Sequence, residues 1–141
     1  MKLIQFSPDH IKLFQNYGGQ EVRVGEVNDE DAKLFCKGDC FTAVRDDLSV
    51  IGCGGVMPAT QFRATAWGLF QKTTPAEFVF IHKQTKSFLE GCRYRRIEAY
   101  VDPGFYPAVR WIKLLGFKME RAYIPLFFPD GTGASAWAFH K

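Results

Sequence analysis

The chain has 141 residues, of which 47% are hydrophobic and 23% are charged, and its formal net charge is +3. These values predict one soluble folded domain, 1–141, that buries roughly two thirds of its unfolded surface. The weak charge disfavours a nucleic-acid binder, because Arg93, Arg95 and Arg96 are the nearest approach to a basic cluster. No apolar run approaches the ~18 residues of a membrane span, and Met1 opens into a strand-like segment, so we expect a cytoplasmic protein.

The four cysteines predict reduced thiols. Cys36 and Cys40 form the only close pair, and none of the three histidines is near them in sequence. A zinc site normally shows two tight ligand pairs, so we expect no metal centre. A structural disulfide is the alternative reading.

The first half of the chain predicts a strand, two helices and three strands. Proline at a first helical position and carboxylates in a first turn mark the two helix starts. Gly52, Gly54 and Gly55 weaken a strand unless another backbone or a ligand approaches closely, and Gly68 is a candidate bulge. The predicted elements are a strand at 2–6, helices from Ser7 to Gly18-Gly19 and from Asn28 to Gly38, and strands at 41–44, 48–57 and 61–70.

The second half predicts two helices, each followed by strand. Thr74-Pro75-Ala76-Glu77 has the form of a capping box and begins a helix that ends near Gly91. Alternation of apolar and polar residues predicts a strand at 97–101. An apolar stripe at helical spacing follows, and Gly116 suits the left-handed residue that ends this helix. Strands at 117–124 and 134–139 complete the chain.

The element order β-α-α-β-β-β-α-β-α-β-β, closed by Leu115-Gly116-Phe117, resembles the GNAT N-acetyltransferase superfamily. The segment Ile97–Phe117, with Ala108, Arg110 and Trp111 on its helix, is most similar to acetyltransferase-like proteins of tailed bacteriophages. The resemblance implies an α/β (α+β) fold with a mixed, twisted sheet of six to seven strands and about four helices.

In this family, strands 4 and 5 are parallel neighbours that splay apart, and acetyl-CoA enters the gap. The resemblance implies that the pantetheine arm pairs with strand 4 and that a bulge at Gly68 aims an N–H at the thioester carbonyl. Core packing is the alternative role for Trp111, and simple solvation is the alternative for Arg110. The cofactor-binding residues implied here are Gly68, Leu69, Phe70, Gln71, Lys72, Thr73, Thr74, Arg110 and Trp111.

The chain departs from the family pattern at two places. The glycine-rich pyrophosphate loop is missing, since the segment from Gln71 to Glu77 contains no glycine. Its capping box would use backbone donors that a phosphate needs, and Glu77 adds a negative charge. The tyrosine that often acts as general acid is Ile112 here, and the frequent asparagine before the helix is Phe105.

For proton transfer the best candidates are Glu98, Tyr100 and Tyr106. Alternation places Glu98 and Tyr100 on one face of strand 5, beside the expected gap, where Glu98 would act as the base. The alternative is that Glu98 pairs with a neighbouring arginine. Tyr100 or Tyr106 would replace the missing acid.

The apolar run Leu126-Phe127-Phe128 predicts either the wall of an acceptor site, a dimer interface or part of the core. We therefore expect an acetyl-CoA-dependent N-acetyltransferase, phage-encoded, acting on an amine of a small molecule or protein in the host cytoplasm. The alternative is a catalytically silent protein of the same fold that binds a host or virion protein. A homodimer is compatible with either.

Overall fold

The computed structural model of the chain describes residues 1–14 and 29–141. In these residues it has seven strands and four helices, in the order predicted from the sequence. The part of the first predicted helix that runs to Gly18-Gly19, and Asn28 at the start of the second, lie outside the described residues. The elements are β1 Lys2–Gln5, α1 Asp9–Lys12, α2 Asp29–Phe35, β2 Cys40–Val44, β3 Val50–Pro58, β4 Arg63–Phe70, α3 Pro75–Gly91, β5 Arg96–Val101, α4 Tyr106–Leu114, β6 Lys118–Ile124 and β7 Ala134–His140.

All seven strands belong to one sheet, in the order β1-β2-β3-β4-β5-β7-β6. The pairing of β4 with β5 is parallel, and the other five pairings are antiparallel. Helix α3 makes the crossover between β4 and β5 that two parallel neighbours require. The mixed sheet predicted from the sequence is therefore confirmed.

The two parallel strands pair only at their amino ends. Residues Arg63–Thr65 of β4 lie opposite Arg96–Glu98 of β5. Beyond this point β4 continues to Phe70 against β3, and β5 continues to Val101 against β7. The sheet thus opens into a V between its two halves, as the resemblance predicted.

Alternation along β4 directs apolar side chains into two layers on opposite faces of the sheet. Trp67 and Leu69 contribute to the layer that contains residues of α1 and α2. Phe70 and Ala64 point to the opposite face, where they join residues of α3 and α4. The two long helices, α3 and α4, therefore both cover the face of the sheet that carries Ala64 and Phe70.

The turn from α4 into β6 has the geometry that its sequence predicts. Gly116 has a φ of +99°, a left-handed conformation that glycine adopts without the steric cost of a Cβ. Its N–H donates to the carbonyl oxygen of Lys113 at 3.0 Å, and the Phe117 N–H donates to that of Ile112 at 3.2 Å. Leu115 and Phe117 are consequently both buried.

Two local predictions in the first half are wrong. Pro8 takes the cap position of α1 rather than the predicted first helical position, and no side chain caps the helix; the backbone N–H of Ser7 donates to Nδ1 of His10 at 3.0 Å. The strand predicted from residue 48 begins at Val50, because Leu48 has a φ of +69° and belongs to the turn. No helix in the described part of the chain is long and apolar enough to cross a membrane.

Candidate active site between the splayed strands

The V between β4 and β5 opens into a cavity of about 840 Å³. This volume is in the range of small-molecule and cofactor sites. Glycines and apolar side chains form most of the wall. Most of the lining comes from residues 52–56 of β3, residues 66–73, residues 99–102 and 127–128, and one side each of α3 and α4.

The floor of the cavity is shaped by Phe70 and two glycines. A Cβ on Gly52 would lie 2.3 Å from Cδ1 of Phe70, and a Cβ on Gly68 would lie 2.8 Å from its Cε2. The ring therefore lies directly over both backbones. The bulge predicted at Gly68 is wrong, since β3 and β4 stay in register through the pair Gly54–Gly68. Glycine is needed at position 68 for the close approach of a side chain.

Trp111 forms part of the side wall. Its ring packs edge-on against Phe70, with centroids 5.1 Å apart, and against Phe78 at 5.9 Å. Its indole N–H donates a hydrogen bond to Nδ1 of His82 at 3.2 Å. Trp111 is half-buried and lines the cavity, which agrees with the predicted place in the site wall and also with packing against the core.

The wall at the carboxyl end of β5 is aromatic. Tyr100 stacks on Phe127 with centroids 4.7 Å apart, and Phe127 meets Phe128 edge-on at 5.0 Å. All three line the cavity. Phe127 is 39% exposed and Leu126 is 80% exposed, so burial in the core is excluded for this part of the hairpin between β6 and β7.

Charged side chains in the lining are separated by sign. Among the described lining residues Lys72, which follows β4, is the one cation. The acidic residues are Asp102, which follows β5, and Asp130, in the hairpin. The described lining thus carries its positive charge on the arm of β4 and its negative charge on the arm of β5 and the hairpin.

The start of α3 is closed by its own side chains. Thr74 Oγ1 accepts from the Glu77 N–H at 3.3 Å, and Glu77 Oε2 accepts from the Thr74 N–H at 3.2 Å, so the predicted capping box is confirmed. Arg45, beyond β2, donates to both Glu77 oxygens at 2.8 and 3.1 Å. This hydrogen-bonded ion pair holds the pKa of Glu77 below its ordinary value.

Glu98 is held between two arginines at the closed end of the V. Its carboxylate lies 3.1 Å from Nε of Arg63 and 3.3 Å from a terminal nitrogen of Arg96. Arg96 also pairs with Glu120 of β6. The residue lies outside the cavity lining, so the geometry favours the ion pair over the catalytic role.

Several other predicted site residues lie apart from the cavity. Tyr106 is 66% exposed and Arg110 is also exposed, and the lining includes neither. Thr74 is the N-cap residue of α3 and is not part of the cavity lining. The residues that the structure does bring together are Gly68, Leu69, Phe70, Gln71, Lys72, Thr73, Tyr100 and Trp111.

Sequence reasoning missed the two side chains that hold α3 and its neighbours in place. Arg45 lies between the predicted strands at 41–44 and 48–57, and nothing in the local sequence connects it with Glu77. His82 gave one weak signal, since it follows Phe78 by four residues and so shares its helix face; the two rings stack with centroids 6.3 Å apart.

Solved structures of acetyltransferases superpose on nearly the whole chain. Ard1 from Thermoplasma volcanium does so with a TM-score of 0.76 at 17% identity, covering 99% of this chain and 96% of that chain. An acetyltransferase of the GNAT family from Bacillus anthracis gives 0.68 at 15% identity, covering 98% and 93%. The chain has the GNAT fold.

A third structure with the GNAT fold, the aminoglycoside 6'-N-acetyltransferase from Enterococcus faecium, gives a TM-score of 0.70 at 12% identity, covering 99% of this chain and 97% of that chain. No protein-family model matches the sequence, and no curated protein matches it. At these identities the likeness concerns the fold, and the chemistry must be argued from the site.

Proposed function

We propose that the chain is an N-acetyltransferase that moves an acetyl group from acetyl-CoA directly to a primary amine of a small molecule or protein. The observation that carries this proposal is the gap between β4 and β5, which leads into the cavity. A phage origin, suggested by the sequence resemblance, belongs to the same proposal. The fold neighbours support acetyl transfer as the class of reaction.

The cavity and the start of α3 differ in how well they fit acetyl-CoA. The cavity offers a mainly apolar slot beside the edge of β4, which suits an acyl-pantetheine arm. The start of α3 is less suited to a pyrophosphate, because its capping box engages donors and Glu77 carries a negative charge there. We therefore propose a binding site in this cavity only for the pantetheine arm and its thioester.

A bound thioester supplies an activated acetyl group. A protonated amine first releases one proton to solvent; its nitrogen then forms a bond to the acyl carbon, the C–S bond breaks, the nitrogen loses a second proton and the departing sulfur gains one. Asp102 and Asp130 favour an amine, which arrives protonated, at the arm of the V formed by β5 and the hairpin. We assign the proton donor role to Tyr100, the predicted catalytic residue that lines the cavity.

Cys53 favours direct transfer over a covalent acyl-enzyme. Cys53 is part of the cavity lining, but its side chain packs in the layer that contains residues of α1 and α2, and burial raises the pKa of its thiol to about 12. The thiol is therefore protonated at neutral pH and is a poor nucleophile. The hydroxyl of Thr42, which donates to the sulfur at 3.5 Å, lowers this pKa by less than burial raises it.

The test measures donor binding and transfer separately. Thermal or denaturant unfolding with acetyl-CoA at about 100 times its Kd should raise the unfolding free energy by about 2.7 kcal/mol. Thiol release in the presence of primary amines should then show turnover, with acetylated product detected by mass spectrometry. Tyr100→Phe should lower turnover by about 10²-fold without changing donor affinity. Tyr123→Phe, on an exposed tyrosine of β6, is the matched control.

The absence of any stabilisation at millimolar acetyl-CoA would contradict the proposal. It would favour the catalytically silent alternative, in which the same fold binds a host or virion protein. Binding of acetyl-CoA without transfer to any amine would also contradict the proposed enzymatic activity, because the cavity would then only bind the ligand.

A further inference from the structure

The first turn of α3 has few backbone donors left for a phosphate. The N–H groups of Thr74 and Glu77 are engaged by the capping box. The Phe78 N–H donates to the carbonyl oxygen of Thr74 at 3.0 Å, and Pro75 has no N–H. Four of the five backbone nitrogens from residue 74 to residue 78 are thus used or lack a hydrogen, whereas anion binding at a helix start depends on such donors.

Charge at this turn opposes a phosphate as well. Glu77 is 8% exposed, so its carboxylate is fixed in the first turn of α3. Arg45 contacts this turn, but its Nε and Nη2 donate to the oxygens of Glu77, and its Nη1 donates to Ser49 Oγ and to the carbonyl oxygen of Val50. The pair of Arg45 and Glu77 has no net charge, and the guanidinium already donates to a carboxylate in the absence of a ligand.

The slot beside β4 has the opposite character. Its wall at Phe70 and Trp111 is apolar, and the glycines at positions 52 and 68 let the ring of Phe70 lie flat on the sheet. The V leaves β4 without β5 as its neighbour after Thr65. A chain of amides and methylenes, such as pantetheine, fits a slot that combines strand edge with apolar wall.

We propose that the protein recognises its acyl donor through the pantetheine arm alone, so that it accepts acyl thioesters of pantetheine and of 4′-phosphopantetheine as readily as those of CoA. The inference rests on the proposed function, and it adds a class of donor. Phosphate and nucleotide groups beyond the arm contribute little to affinity, because the start of α3, which follows the lining residues 71–73, is closed by Thr74, Glu77 and Arg45.

The test compares S-acetylpantetheine with acetyl-CoA by calorimetry on the full chain. The expected result is a Kd for the two donors that agrees within about threefold, which corresponds to less than about 1 kcal/mol. A Kd for acetyl-CoA about 100-fold lower would overturn the inference and leave the acetyltransferase proposal standing. Failure of both donors to bind would overturn both.

Variants at Glu77 test whether this residue is the reason that the phosphate groups of CoA contribute little to affinity. Glu77→Ala removes the carboxylate, releases the Thr74 N–H and frees Arg45, so acetyl-CoA should bind about tenfold more tightly while S-acetylpantetheine is unchanged. Glu77→Gln keeps a good helix former and removes only the charge, and it provides the measurement if Glu77→Ala unfolds. Glu90→Gln, an exposed position near the other end of α3, controls for net charge. Equal changes for both donors, or none, would refute the inference.

Discussion

The indole N–H of Trp111 donates a hydrogen bond to Nδ1 of His82 across 3.2 Å, and this bond joins α4 to α3 over the cavity. Because Nδ1 accepts, the neutral imidazole carries its proton on Nε2. The same indole packs against Phe70 and Phe78. The bond therefore fixes the orientation of a ring that forms part of the site wall.

We predict that His82→Ala lowers the free energy of unfolding by about 1 to 2 kcal/mol, because the half-buried indole N–H loses its acceptor. Urea denaturation measures the loss, and a double-mutant cycle with Trp111→Phe should show a coupling energy of about 1 kcal/mol. Lys83→Ala, at the next and exposed position of α3, is the control. Strict additivity of the two changes would show that the hydrogen bond contributes nothing to stability.

The ion pair of Arg45 with Glu77 predicts a pH-dependent stability. Arg45→Gln should lower the free energy of unfolding by about 1 to 2 kcal/mol at neutral pH, a figure reduced because the arginine side chain is 34% exposed. The pKa of Glu77 is lower in the folded protein than in the unfolded chain, mainly through its hydrogen bond to Arg45. The stabilisation is therefore complete above the unfolded pKa and is lost as the pH falls through the folded one.

The measurement is denaturant unfolding of both proteins between about pH 7 and pH 3. The difference between them should be constant above about pH 5 and should shrink below about pH 4, where the unfolded and then the folded carboxyl become protonated. Arg121→Gln removes an exposed arginine of β6 and controls for net charge. A difference that stays constant in acid would show that Glu77 is not the partner responsible.

Local sequence chemistry predicted the parts of this fold that depend on neighbouring residues. The capping box at Thr74 and Glu77 and the left-handed turn at Gly116 each follow from residues within four positions of one another. The gap between β4 and β5 followed from the family resemblance and the element order. The sequence alone therefore indicates where the cavity lies in the fold.

The remaining features depend on contacts between distant parts of the chain. Arg45 and Glu77 are 32 positions apart, and no periodicity or motif connects them. The glycine at position 68 was ambiguous, because a strand glycine marks either a bulge or a close approach, and only the position of Phe70 decides between them. Alternation correctly predicts that Glu98 and Tyr100 lie on one face of β5. It does not predict that β5 is still paired with β4 at Glu98, whereas Tyr100 lies beyond the pairing and lines the cavity.

Glu98→Gln tests whether the residue acts as a base or as an ion-pair partner. Its two arginine neighbours and its place outside the cavity lead us to expect turnover within about twofold of the unchanged protein and a loss of stability of about 1 kcal/mol or less. Steady-state kinetics and urea denaturation give the two values. Glu120→Gln, which also removes a partner of Arg96, is the matched control. A fall in turnover of 10²-fold or more, confined to Glu98→Gln, would restore Glu98 as the general base.

Two glycine-to-alanine changes should have opposite effects on stability. Gly116 has a φ of +99°, so Gly116→Ala forces alanine into a left-handed conformation and should lower the free energy of unfolding by about 1 to 2 kcal/mol. The new Cβ would lie 3.4 Å from Phe139, an ordinary contact, so the cost arises in the backbone.

Gly91→Ala is the matched change at the end of α3. A Cβ there would meet nothing within 4 Å, and alanine reduces the entropy of the unfolded chain, so stability should stay equal or rise by up to about 1 kcal/mol. Denaturant unfolding should give the same m-value for both variants, with midpoints shifted in opposite directions. An unchanged stability of Gly116→Ala would mean that the Leu115-Gly116-Phe117 turn does not require its left-handed residue, and the argument that this turn returns Phe117 to the core would fail.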